Sequence, residues 1–189
     1  MRKNEKKDIC LSIAKCLYAG AQEVPDWENP IVVGINKEPY HATLTLPSQK
    51  ADCKEIISLN GKWRFQWSAG PGKRPADFYK NDFNTDTWDT ITVPGAWQLQ
   101  GYGKPIYSNV NYPFQKDAPK VTSEPPAEYY SYGHRNPTGS YVTTFEVTPD
   151  MKDKCLYLHF EGVKSAMYVW VNGERVATAR IRCRLPSLT

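Results

Sequence analysis

The chain has 189 residues, of which 40% are hydrophobic and 13% aromatic, and it contains 15 prolines and 12 glycines. This composition excludes a disordered chain and favours one all-β domain with many turns. The formal net charge of +4 comes from basic residues near the two ends. The central part therefore lacks the basic patch that nucleic-acid binding requires, and no nucleic-acid partner is expected.

The first 21 residues have the layout of a secretory signal peptide. A basic start, MRKNEKK, precedes the moderately apolar ICLSIAKCLYA and an A-x-A-like cleavage site at residues 19–21. We therefore expect a periplasmic or secreted chain. A basic amphipathic or disordered leader is the alternative, because Lys15 interrupts the apolar run. No other stretch has the roughly 20 apolar residues of a membrane-spanning helix, so no membrane span is expected.

Oxygen-bearing side chains follow the leader in DWENP, residues 26–30. Asp26, Asn29 and a backbone carbonyl could bind Mg²⁺ or Na⁺, because these hard cations take oxygen ligands. A capped turn without a metal explains the same residues. Asp26 and Asn29 are thus the candidate metal ligands.

Four stretches alternate apolar and polar residues in the manner of half-buried β-strands. KWRFQW places Trp63, Phe65 and Trp67 on one face, and SYVTTFEV and CLYLHF alternate in the same way. AMYVWV precedes Asn172-Gly173, a pair typical of a type I′ hairpin turn. We expect Cys155, the first residue of CLYLHF, to be a buried thiol. Since no segment has a long helical period, the sequence predicts an antiparallel β-sandwich.

The proline-rich segment between Pro94 and Gly139 contains PIYSNVNYPF, residues 105–114. Aromatic rings stack on the apolar faces of a pyranose, and an asparagine amide donates and accepts hydrogen bonds at its hydroxyl rim. The composition therefore suits a sugar-binding loop. Packing of Tyr107 and Tyr112 onto the sandwich is the alternative.

Motifs of several enzyme classes do not occur in the sequence. There is no G-x-S-x-G, H-E-x-x-H, phosphate-binding loop or dinucleotide fingerprint, and the five cysteines do not have zinc-ligand spacing. The loop acids Asp117, Glu124 and Glu128 have no neighbours that would raise a carboxyl pKa, as the acid of a glycosidase needs. We expect the chain by itself to be non-catalytic.

The order and spacing of five stretches between about Asp26 and Val176 resemble the start of a large β-galactosidase of glycoside hydrolase family 2. The stretches are DWENPIVVGINKEPYHATL, SLNGKWRFQW, VPGAWQLQGYGKPIYSNVNYPF, NPTGSYVTTFEV and FEGVKSAMYVWVNGERV. One departure is Gly95-Ala96, where the family usually has a Ser-Asn-like pair.

The resemblance implies a jelly-roll β-sandwich, the N-terminal sugar-binding domain of a multidomain hydrolase whose catalytic glutamates lie in a later barrel. Through the match of YSNVNYP, it implies that Asn109 and Val110 help to bind galactose. It also implies Mg²⁺ and Na⁺ as cofactors of the full-length enzyme. The implied partners are galactosides, the remaining β-galactosidase domains and further copies in an oligomer.

The chain then divides into a signal peptide (1–21), an extended segment (22–54), the sugar-binding domain (55–176) and an anomalous tail (177–189). The tail, ATARIRCRLPSLT, departs from the family pattern and contains no acidic residue. A frameshift after Val176 would explain the departure and would leave the jelly roll incomplete at its C-terminal end. A genuine strand is the alternative, because apolar residues alternate with arginines in the tail.

Three functions are compatible with these patterns. The first is a truncated sugar-binding domain of a β-galactosidase, inactive alone, whose full-length form hydrolyses terminal β-galactosides. The second is a free-standing carbohydrate-binding module, and the third is a structural sandwich without a ligand. The family resemblance favours the first, because the implied sugar contact is a single loop.

Overall fold

The computed structural model describes residues 24–39, 56–105, 136–151, 154–180 and 187–188. Within these ranges the regular elements are β-strands and short 3₁₀ helices. The strands are β1 (Gly34–Ile35), β2 (Gly61–Ser68), β3 (Asp89–Val93), β4 (Thr138–Val142), β5 (Leu158–His159), β6 (Ala166–Val171), β7 (Glu174–Arg180) and β8 (Ser187–Leu188). The 3₁₀ helices are Pro71–Lys73, Trp97–Gln100 and Pro149–Met151.

The described strands pair in antiparallel fashion in three sheets, with the orders β3-β2-β4, β1-β7-β6 and β5-β8. The predicted all-β class is confirmed. None of the helices in the described ranges has the length and apolar character needed to cross a membrane. The signal-peptide prediction for residues 1–21 falls outside the described ranges.

Strand β2 supplies the centre of the first sheet, and its predicted alternation is confirmed. Phe65 is completely buried and contacts the ring of Tyr141 on β4, with centroids 4.8 Å apart. Ile91 on β3 is also buried. Burial raises the pKa of Tyr141 to about 12. Phe65 thus packs against β4, and Ile91 lies opposite Trp63 in the pairing of β2 with β3.

The hairpin of β6 and β7 forms as the Asn-Gly pair predicts. Asn172 and Gly173 have φ values of 52° and 90°, which a type I′ turn requires at both central positions. β7 lies between β6 and β1, and its Ala177 and Ala179 are buried. Because β7 runs from Glu174 to Arg180, the described chain remains a strand across the proposed boundary at Val176.

Aromatic packing joins the segment between β2 and β3 to strand β6. Tyr79 stacks on Trp170 at 5.2 Å with an interplanar angle of 8°, and Phe78 contacts both Trp170 and the buried Trp88. The Asn81 amide donates to the carbonyl of Asn172 at 3.3 Å. This connection therefore packs against the second sheet.

Two predicted strands are shorter than their alternation indicates. β4 ends at Val142, and β5 contains only Leu158 and His159. Pairing of β2 with β4 stops at Arg64–Val142, and the chains then separate around a cleft of about 280 Å³. Alternation alone does not make a strand when the partner backbone diverges. The prediction of a buried Cys155 is wrong, because this thiol precedes β5 in an exposed stretch.

Candidate functional site

Asn109 and Val110, the predicted galactose contacts, lie outside the described residues, and their role stays a prediction. The structure does describe residues 94–105, which lead directly into the loop that carries them. We call residues 94–105 the loop platform. It follows the edge strand β3 and contains the 3₁₀ helix Trp97–Gln100.

The side chain of Gln100 fixes the loop platform to β3. Its Oε1 accepts the backbone N–H of Thr92 at 2.8 Å, and its Nε2 donates to the carbonyl oxygen of Thr92 at 3.0 Å. One side-chain amide thus pairs both backbone groups of an edge residue, as a neighbouring strand would.

Gly95, where the chain departs from the family pattern, lies close to both Gln100 and Thr92. A Cβ atom on Gly95 would lie 2.7 Å from the Gln100 amide nitrogen and 2.9 Å from the carbonyl oxygen of Thr92. Such contacts are too close for any side chain. The glycine therefore leaves the space in which Gln100 reaches β3.

Two aromatic residues attach the loop platform to the core. Trp97 and Tyr102 both contact the buried Phe65, with centroid separations of 6.1 and 4.8 Å. The Tyr102 hydroxyl donates to Asp89 Oδ2 at 2.9 Å. Partial burial raises the pKa of Tyr102, and the hydrogen bond to the Asp89 carboxylate and its negative charge raise it further. The start of the 105–114 loop therefore has a defined position on the sandwich.

Replacement of Gln100 by alanine is expected to lower the free energy of unfolding by about 1 kcal/mol, because two backbone groups of Thr92 lose their partner. Urea denaturation would measure the change. Gln98→Ala, in the same 3₁₀ helix, is the matched control and should have a smaller effect. An equal loss of stability in both variants would contradict the stabilising role of the Gln100–Thr92 hydrogen bonds.

The described surroundings of Asp26 and Asn29 do not fit a Mg²⁺ or Na⁺ site. The Asp26 carboxylate pairs with Arg175 at 2.5 Å, and Asn29 Oδ1 accepts the backbone N–H of Ile31 at 3.1 Å. The described residues contain no group of three His, Cys, Asp or Glu side chains that could hold a metal. The metal role of both residues stays a prediction, and the geometry favours the capped turn.

The family described as glycosyl hydrolases family 2, sugar binding domain, matches residues 56–187, which is most of the chain. The chain belongs to this family. The assignment confirms the predicted resemblance and the jelly-roll type of sandwich. The match extends beyond Val176, while the frameshift at that position stays a prediction.

The chain is also similar to several curated β-galactosidases. It is 40% identical over 168 residues to that of Priestia megaterium, a match of 84% of this chain and 16% of the relative. It is 38% identical over 167 residues to that of Vibrio vulnificus, covering 86% and 15%. For the enzyme of Clostridium acetobutylicum the values are 40% over 158 residues, covering 80% and 17%. The chain thus spans roughly a sixth of these relatives.

Sequence reasoning missed the residues that position the loop. Gln100 reaches Thr92 over eight positions, and Tyr102 reaches Asp89 over thirteen. Both contacts join the loop platform to a strand, so the period of a single helix or strand does not predict them. The only available signal was the richness of aromatic and amide residues around the loop. Their partners depend on how the chain turns after β3.

Proposed function

We propose that this chain is the N-terminal sugar-binding part of a β-galactosidase, and that its 105–114 loop contributes to a galactoside site. Asn109 and Val110 contact the galactose ring in this proposal. The groups that cleave the glycosidic bond come from the portion that the relatives have and the matched region does not include. Alone, the matched domain is a binding element and not a catalyst.

The loop platform is the observation that carries the proposal. Gln100 on Thr92 and Tyr102 on Asp89 hold the start of the loop at two separate points of β3. Restricting a loop before binding reduces the entropy that is lost when it meets a ligand. An amide and its neighbouring backbone on such a loop suit the hydroxyl rim of a sugar.

A chimera tests the proposal, with this chain replacing the matched region of the Priestia megaterium β-galactosidase. We expect hydrolysis of a β-galactoside, and we expect Asn109→Ala to raise KM about tenfold, which corresponds to the roughly 1.4 kcal/mol of a lost polar contact. Asn60→Ala is the control, because Asn60 is exposed and outside the loop platform. Unchanged kinetics of the Asn109 variant in an active chimera would contradict the assigned contact.

The alternative function, a free-standing carbohydrate-binding module, leads to a different expected result. In that case the isolated chain would bind galactose in a calorimetric titration, and Asn109→Ala would weaken that binding without any added enzyme portion. The β-galactosidase proposal expects saturable galactose binding only when the chimera is complete.

A further inference from the structure

We propose that two arginines of β7 clasp Asp26 and fasten the N-terminal segment 24–36 to the β6–β7 hairpin. In this arrangement Arg175 occupies the carboxylate that a divalent cation would need. We call Asp26, Arg175 and Arg180 the arginine clasp. None of these three residues belongs to the 105–114 loop, so a failure of galactoside binding would not count against the arginine clasp.

A carboxylate oxygen and the backbone carbonyl oxygen of Asp26 each accept a hydrogen bond from a guanidinium group. Arg175 donates to the carboxylate at 2.5 Å, and Arg180 donates to the backbone carbonyl oxygen. The side chains of Arg175 and Asp26 are 43% and 22% exposed, so the pair is partly screened by solvent. Charge-assisted hydrogen bonds of this kind are shorter and stronger than neutral ones.

Aromatic rings hold the arginine clasp in place. The Arg175 guanidinium lies 5.1 Å from the ring centroid of Tyr168, and Trp27 meets the same ring edge-on at 5.7 Å. Arg74 lies over Trp27 at 5.2 Å. Burial, followed by the charge of Asp26, raises the pKa of the Tyr168 hydroxyl. A planar guanidinium that stacks on an aromatic face loses less freedom when it pairs with a carboxylate.

Backbone contacts continue the attachment toward Asn36. The N–H of Arg180 donates to the carbonyl oxygen of Val33 at 3.1 Å, and β1 pairs with Thr178 and Ala179. The Asn36 amide then donates to the carbonyl oxygen of Val176 at 3.1 Å. Every one of these contacts is made to β7, so the arginine clasp secures one end of a segment whose other end joins the sheet.

The same geometry opposes a cation at Asp26. A divalent cation needs several oxygen ligands, yet Oδ2 of the Asp26 carboxylate is bound by Arg175. Two guanidinium groups close to Asp26 also repel a positive ion. Arginine and a cation therefore compete for one carboxylate, and the described contacts favour arginine.

Titration of the unmodified full chain with MgCl₂ is the first test, because it requires no variant. We expect no rise in Tm beyond that produced by choline chloride of equal ionic strength. A rise in Tm that is specific to Mg²⁺ and disappears in Asp26→Asn would overturn the proposal and assign Asp26 to a cation.

A mutant cycle then tests the pair itself. Arg175→Gln and Asp26→Asn should each shift the urea midpoint downward, and the double variant should have the midpoint of the single variants, because each removes the same interaction. Lys80→Gln is the matched control: it breaks an exposed pair with Asp77 at 3.0 Å and should shift the midpoint little. Additive shifts in the cycle would overturn the clasp. If Arg175→Gln does not fold, Arg175→Lys replaces it in the cycle, with a smaller shift expected.

Discussion

Replacement of Phe65 by alanine is expected to lower the free energy of unfolding by about 3–5 kcal/mol. Phe65 is completely buried, and its ring contacts Tyr141, Trp97 and Tyr102. Removal of the ring leaves a cavity surrounded by three other aromatic side chains. These rings belong to β4 and to the loop platform, so they cannot all move inward at once.

Urea denaturation followed by circular dichroism would measure this loss. Phe145→Ala is the control, because Phe145 is 40% exposed and lies beyond the end of β4, and its replacement should cost less than about 1 kcal/mol. Similar midpoints for the two variants would show that Phe65 is not the centre of the core. In the chimera, Phe65→Ala should also weaken galactoside binding, because it releases Trp97 and Tyr102.

The fold was predictable wherever a local pattern and its partner both lie in regular structure. The alternation in KWRFQW specified β2, and Asn172-Gly173 specified the hairpin of β6 and β7, because turn geometry depends on two adjacent residues. The ends of β4 and β5 were not predictable in this way. The end of β4 depends on where β2 and β4 separate, which the alternating residues themselves do not encode.

The candidate site was less predictable than the fold, because its contacts are distant in the chain. DWENP contains oxygen atoms that led to the prediction of a metal site, and nothing in its five residues indicates that Arg175 would meet Asp26 from 149 positions away. Likewise, the amides and rings of residues 105–114 indicated a sugar, while the role of Gln100 depended on the position of β3 at the edge of the described sheet. Composition therefore indicated which ligands the residues could bind, whereas the residues that they contact in the chain became known only from the fold.

Replacement of Gly139 by alanine is expected to lower the free energy of unfolding by about 1–3 kcal/mol, the usual cost of overpacking. A Cβ atom there would lie 2.5 and 2.8 Å from ring atoms of Trp97 and 2.7 Å from a ring atom of Phe65. Both rings belong to the cluster that holds the loop platform, so neither can withdraw freely. Thermal unfolding of the full chain would measure the loss.

Gly72→Ala provides the matched control for this steric effect. A Cβ atom on Gly72 would meet nothing within 4 Å, so its replacement should be neutral or stabilise the chain by up to about 1 kcal/mol by restricting the unfolded state. Gly139→Ala should therefore lower Tm, whereas Gly72→Ala should leave Tm unchanged or raise it. Gly139→Ala combined with Trp97→Phe should recover part of the loss, because the smaller ring makes room for the methyl group. A stabilising Gly139→Ala would instead mean that Trp97 does not rest on β4, and the loop platform would then lack one of its two aromatic anchors.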